Sequence, residues 1–266
     1  MSEPLLLRRE GGALHLTLSR PHRRNAMSFA MVDALQAAVA EVGEDRSVRA
    51  IVLRGAEGNF CSGGDVKDMA AARSAPPGPD GRDPIAVANR RFGAMLQTFE
   101  AAPQPVIAIC EGAVMGGGFG LACIADVTFA VEGARFRLPE TGLGLTPAQV
   151  MPFIVRRIGL TAARRLAVTG AELDAARAVT VGLAHEHVVA GDIDAALAAT
   201  LADIRRCGPE AVAATKALAL AVGTMPLDDL LDHAADGFAE RANSPEAMAG
   251  LMARFSKTLP PWAQDS

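Results

Sequence analysis

Two glycine clusters stand out by residue type and position: Phe60-Cys-Ser-Gly-Gly-Asp and Met115-Gly-Gly-Gly-Phe-Gly. Glycine lets backbone N–H groups turn outward and lets a ligand approach closely, and amides at a helix start carry partial positive charge. Two such loops facing each other can hold an oxyanion; taken singly, each also reads as a tight turn or a close helix contact. Removing one donor of such a hole costs about 3–4 kcal/mol of transition-state stabilisation. The third candidate is Glu140, in Phe136-Arg-Leu-Pro-Glu-Thr-Gly. A carboxylate displayed on a proline-fixed turn amid apolar residues can have a raised pKa suited to proton transfer near neutrality, the plain alternative being a solvated surface glutamate.

Other chemistries match poorly. A dinucleotide loop starting at Gly116 needs glycine where Leu121 stands, and no Gly-Lys-Ser/Thr run occurs for a phosphate-binding loop. Ser62 fails as a nucleophile elbow because Phe60 stands where that motif needs glycine. His185-Glu-His187 puts two imidazoles on one face of a strand with no third ligand at useful spacing, so a solvated or hydrogen-bonded pair is expected and no metal.

The elements that must position these residues alternate in type. Leu14, Leu16 and Leu18 follow the period of a half-buried strand that opens the fold. Ser28 can cap a helix with apolar positions Val32, Leu35, Val39 and Val42, and Ala50-Ile-Val-Leu-Arg-Gly reads as a buried strand. The segment from Ser74 to Pro84 is too rich in proline and glycine for regular structure and is expected as a mobile surface insertion, either a lid or a plain solvent loop. A helix near Val87 to Glu100 follows, then strands at Val106 to Cys110 and Asp126 to Val131, with the second glycine cluster between them. From Thr161 onward the signals turn helical. Thr161, Asp174, Asp192 and Ser244 are candidate caps, and Pro209, Pro226 and Pro245 sit where first-turn prolines belong. An α/β region over 1–205 and a helical region over 206–266 are predicted.

Composition bounds the function. The 266 residues carry 26 lysines plus arginines against 30 acidic residues, a net charge of −4, which disfavours nucleic-acid binding. No uncharged stretch approaches the ~20 apolar residues of a membrane span. The N-terminus has neither the basic start nor the apolar stretch of a secretory signal, so a cytoplasmic protein is expected. Cys61, Cys110, Cys123 and Cys207 lie far apart with no C-x-x-C pair and are expected as reduced, mostly buried thiols.

Taken together and in order, Arg24-Asn-Ala-Met-Ser, Phe60-Cys-Ser-Gly-Gly-Asp-Val-Lys, Ala113-Val-Met-Gly-Gly-Gly-Phe-Gly-Leu-Ala and Leu138-Pro-Glu-Thr resemble the enoyl-CoA hydratase/isomerase (crotonase) family over nearly the whole chain. The resemblance implies a crotonase-like α/β spiral of ββα units followed by C-terminal helices that build trimers, which can pair into hexamers. It implies an acyl-CoA thioester as substrate, with coenzyme A part of the substrate and no separate cofactor. The amides of Gly64 and Gly117 would form the oxyanion hole. Arg24, Ala26 and the loop of Ser62, Gly63, Asp65, Val66 and Lys67 would contact coenzyme A, and Lys257 would reach a neighbouring subunit's coenzyme A, although Thr258-Leu259 replace the usual basic pair there.

One departure matters for mechanism. Two-glutamate hydratases of the family carry one glutamate in the helix after the triple glycine; here that position is Gly120, and only Glu140 of the pair remains. A lone carboxylate suffices to move a proton between C4 and C2, as in the family's double-bond isomerases. The wording of Met115-Gly-Gly-Gly-Phe-Gly-Leu-Ala-Cys, Leu138-Pro-Glu-Thr and Pro152-Phe-Ile-Val-Arg-Arg-Ile-Gly is nonetheless most similar to the isohexenylglutaconyl-CoA hydratases of acyclic terpenoid breakdown. The leading expectation is therefore hydration of a branched 2-enoyl-CoA with Glu140 as acid and base, against isomerisation by the same residue or non-catalytic acyl-CoA binding. Gly120 would leave room for a branched acyl group, or serve packing alone. Asp65, Asp68 and Glu111 are the carboxylates that could stand in for the missing glutamate.

Overall fold

Two antiparallel strands, β1 (Leu5–Glu10) and β2 (Ala13–Leu18), begin the protein in a computed structural model that describes residues 3–264. Leu14, Leu16 and Leu18 are buried, as their alternation requires. β1 precedes the strand expected to open the fold. Only its Leu5 is buried, so as an edge strand it lacks the apolar alternation that sequence patterning detects. Ser28 caps α1 (Phe29–Glu41) by accepting a hydrogen bond from Met31 N at 3.2 Å, and Val32, Leu35, Val39 and Val42 are all buried. β3 (Ala50–Gly55) then lies parallel to β2. A helix that the sequence pattern did not announce, α2 (Val66–Ser74), follows the first glycine cluster; it buries only Ala72 and so has no apolar stripe to read. Residues 75–83 are exposed and irregular, and Asp83 caps α3 (Pro84–Ala101).

Next come β4 (Val106–Cys110), β5 (Ala113–Met115), α4 (Gly117–Ile124), β6 (Val127–Val131), β7 (Arg135–Arg137), α5 (Met151–Thr169), β8 (Leu173–Asp174), α6 (Ala175–Thr180) and β9 (Glu186–Val188). Six strands form one sheet in the order β1-β2-β3-β4-β6-β9, parallel except for β1, and β5-β7-β8 form a second. Consecutive strands thus enter different sheets before a helix: β4 then β5 then α4, β6 then β7 then α5. The isolated pairings of Met27 with Gly64 and of Cys61 with Val114 extend the small sheet into the two earlier units, which gives the expected spiral of ββα repeats.

The large sheet is buried on both faces. Leu16, Ile51, Leu53, Val106 and Ala108 face the main core, while Val52, Ile107, Ile109 and Phe129 pack under α7 (Ile193–Arg206). Strands covered on both sides read as continuous apolar runs, which is why β3, β4 and β6 were legible. Helices α8 (Pro209–Ala221), α9 (Leu227–Ala242) and α10 (Pro245–Ser256) complete the chain. Lys216 of α8, almost wholly buried, ties them to the sheet through Asp126 at 2.6 Å and the Gln104 carbonyl at 3.1 Å. Asp174 and Ser244 do cap helices. Asp192 occupies a cap position without a side-chain hydrogen bond. Thr161 starts nothing: α5 begins at Met151, and its break lies at Gly159. Among the described residues no helix is long and apolar enough to cross a membrane.

Candidate active site

The two glycine clusters run side by side. Cys61 N donates to Ala113 O and Met115 N to Cys61 O, both at 2.8 Å, so the first loop is stitched along β5; on its other flank Met27 N donates to Gly63 O at 2.8 Å and Asp65 N to Met27 O at 2.9 Å. These bonds use up the neighbouring amides. Gly116 N is also spent, on Arg137 O at 3.0 Å. Among the described residues, the N–H groups of Gly64 and Gly117 donate to no protein acceptor. Gly117 opens α4, where the free amides and the helix dipole point the same way.

Glu140 reaches between the loops. It stands on a single 3-10 turn, Glu140–Leu143, held down by Thr141 Oγ1 donating to Ala167 O at 2.8 Å and closed by Gly144. A Cβ placed on Gly116 would lie 2.8 Å from Glu140 Oε1 and 3.8 Å from the Cα of Gly63, so carboxylate and both loops converge within a few ångströms. Glu140 Oε2 is buried with no hydrogen-bond partner among the described residues. Burial therefore pushes the Glu140 carboxyl above its ordinary pKa, only partly opposed by a hydrogen bond from its own amide. These three groups border a cavity of about 300 Å³, walled by Val32, Met69, Ile85, Phe92, Leu143 and Val150 and reached by the polar side chains of Asn89, Thr146 and Gln149.

The other sequence-derived residues divide. Ser62, Gly63, Asp65 and Val66 line the cavity with Gly64, Gly117 and Glu140. Arg24, Ala26 and Lys67 do not line it: Arg24 and Lys67 are exposed and Ala26 is buried, and Ser62 N donates to Arg24 O at 3.0 Å. Lys257 is exposed at the end of α10. The expectation that Gly120 opens room in the cavity is corrected: a Cβ there would meet Val150 Cγ1 at 2.5 Å, so Val150 fills that space. Because valine is stiff at χ1, even Gly120→Ala is expected to destabilise the protein by about 1–3 kcal/mol, read as a fall in Tm.

None of the stand-in carboxylates faces the cavity freely. Asp65 caps α2 through Lys67 N at 2.8 Å and pairs with Arg20 at 2.6 Å; burial alone would raise its pKa, but these bonds bring it below the ordinary value. Asp68 accepts from Phe29 N at 2.7 Å, and Glu111 is held bidentately by Arg54 at 2.7 and 2.9 Å. Ser62 Oγ donates to Arg23 O at 3.0 Å, and no base among the described residues hydrogen-bonds to it. Cys61 is wholly buried, and desolvation pushes its thiol up to about 11, so it stays neutral at pH 7. Of the four thiols, all free, only Cys207 is exposed. His185 Nδ1 accepts from Thr128 N at 2.9 Å, which is the structural reading of that pair. Met27, Phe92, Gly116 and Gln149 belong to the site without having been singled out. Gly116 carried a signal inside its cluster; Gln149 carried none.

Comparison with known proteins matches this arrangement to a family described as enoyl-CoA hydratase/isomerase, over residues 8–265. An enoyl-CoA hydratase of Alternaria alternata is 34% identical over 212 residues, covering 79% of this chain and 67% of its own. A probable mitochondrial enoyl-CoA hydratase of Arabidopsis thaliana is 32% identical over 209 residues, covering 78% and 67%. Among solved structures, Pseudomonas aeruginosa AtuE superposes with a TM-score of 0.94 and 52% identity over 98% of this chain and 100% of its own. An enoyl-CoA hydratase/isomerase of Marinobacter aquaeolei gives 0.96 and 47% over 99% and 100%.

Proposed function

The chain belongs to the enoyl-CoA hydratase/isomerase family, and from that membership we propose that it adds water across the 2,3 double bond of a branched 2-enoyl-CoA. The observation that carries this reading is the convergence of one desolvated, unpartnered carboxylate, Glu140, on two glycine loops with free amides. Gly64 and Gly117 would hold the thioester oxygen as charge builds on it. Glu140 takes a proton from water as the oxygen adds to C3, then delivers it to C2 of the enolate. The thioester is the electron sink, so no step calls for a metal or a nicotinamide. An apolar cavity wall suits a branched, terpenoid-derived acyl chain better than a polar one. Exposed Leu231, Phe238, Met252 and Phe255 on α9 and α10 support self-association into trimers or hexamers, with Lys257 meeting a neighbour's coenzyme A, and the free thiols suit the cytoplasm.

Incubation with branched 2-enoyl-CoA and 3-enoyl-CoA thioesters in heavy-oxygen water tests the reading by mass spectrometry. Labelled oxygen in a 3-hydroxyacyl product is the expected result. Conversion of 3-enoyl to 2-enoyl without label would instead establish the isomerase, a second reading favoured by the single free carboxylate. The acidic limb of the rate profile supplies a further check. Glu140 must be ionised to accept a proton and its pKa lies above the ordinary 4.5, so kcat/KM is expected to fall on acidification at a pH where an unperturbed glutamate is still charged.

A further inference from the structure

With Gly120 walled off by Val150 and every other nearby carboxylate engaged, a single charged oxygen pair must orient and deprotonate the attacking water. Orientation by one carboxylate is incomplete, because a water held by one hydrogen bond still rotates about it. The loop that supplies Val150 also supplies Gln149, half-buried on the cavity wall. Its amide has no hydrogen-bond partner among the described residues, and it packs against α3. A Cβ on Gly93 of α3 would stand 1.9 Å from Gln149 Oε1, 2.9 Å from Cδ and 3.3 Å from Cγ, so the side chain lies flat against the bare backbone of that helix. A half-buried amide on the cavity wall with its hydrogen-bonding capacity unspent calls for a polar guest. Asn89 and Thr146, the cavity's other uncharged polar groups of this size, are exposed and can be satisfied by bulk water.

We propose that Gln149 is the second polar group of the reaction, holding the nucleophilic water against C3 together with Glu140. The inference rests on the hydration reading above. The Gln149 amide accepts one hydrogen of the water and Glu140 the other, which leaves an oxygen lone pair for C3. The C–O bond forms as the water's proton passes to Glu140 and the C2=C3 electrons move onto the thioester oxygen; the same proton then returns to C2. Gln149 neither gains nor loses a proton.

Proton transfer at C2 without water addition separates this role from a structural one. Deuterium wash-in at C2 of a saturated branched acyl-CoA in heavy water needs Glu140 and the free amides but no positioned water. Gln149→Leu is expected to lower kcat for hydration of a branched 2-enoyl-CoA by about 100-fold with the wash-in rate unchanged. Gly93→Ala, which pushes the amide off its seat while favouring the helix, is expected to give the same split. Equal loss of both rates, or loss of neither, would overturn the role of Gln149 alone. A wild-type protein that exchanges C2 protons but never hydrates would overturn the hydration reading and this inference with it.

Discussion

Glu140→Gln is expected to lower kcat for hydration by about 10³-fold, with KM and coenzyme A binding little changed. The amide keeps the shape of the side chain on its turn, so the cavity and the two glycine loops persist, but it neither accepts nor returns a proton. None of the three candidate substitutes is free to take over, since Asp65, Asp68 and Glu111 are each held by hydrogen bonds or an ion pair. Stability should move the other way. A carboxyl whose pKa is raised on folding binds more protons in the native than in the unfolded chain between the two pKa values, so its contribution is present at low pH and lost as pH rises through the folded pKa. At pH 7 the variant therefore has a Tm no lower than the parent, and the acidic limb of the rate profile vanishes with the base. Turnover within a few-fold of the parent would remove Glu140 from the mechanism and assign the proton transfer to another group; a lowered Tm would show that the carboxylate serves the fold.

The parts of this site that could be read from sequence are those where backbone geometry demands a residue type. Gly63 and Gly116 are glycine because their φ values of 102° and 51° strain an L side chain, Gly117 because a Cβ there would stand 2.4 Å from Met27 Cε, and Glu140 announced itself by the proline before it and the glycines after it. The buried strands were legible because they are apolar throughout. β1 and α2 were not, since one lies at an edge and the other buries a single alanine. Gln149 and Val150 were invisible for a different reason. Their roles come from contact with Gly93 and Gly120, more than fifty and about thirty residues earlier, and nothing local distinguishes a glutamine that lies on a distant bare backbone from one in solvent. The meaning of Gly120 changed for the same cause: the sequence shows which side chain is missing, and only the fold shows what occupies its space.

Gly116→Ala is expected to damage the protein twice. Its φ of 51° and ψ of −110° lie where an L side chain is strained, so the variant should lose about 1–3 kcal/mol of stability. Its new Cβ would stand 2.8 Å from Glu140 Oε1, a contact relieved only by swinging the carboxylate away, and the same residue sets the direction of the Gly117 amide. Displacing base and oxyanion donor together should reduce kcat by about 10²–10³-fold. Gly133→Ala separates the two effects: Gly133 also has positive φ, at 84°, but its Cβ would meet nothing within 4 Å. That variant should share the fall in Tm and keep its turnover. In a Glu140→Gln background, Gly116→Ala should cost far less in kcat than it does alone, because both changes act on the same proton transfer and such losses do not add. Native turnover in Gly116→Ala, or full additivity with Glu140→Gln, would mean that the carboxylate works from a position other than the one it holds against the Gly116 backbone.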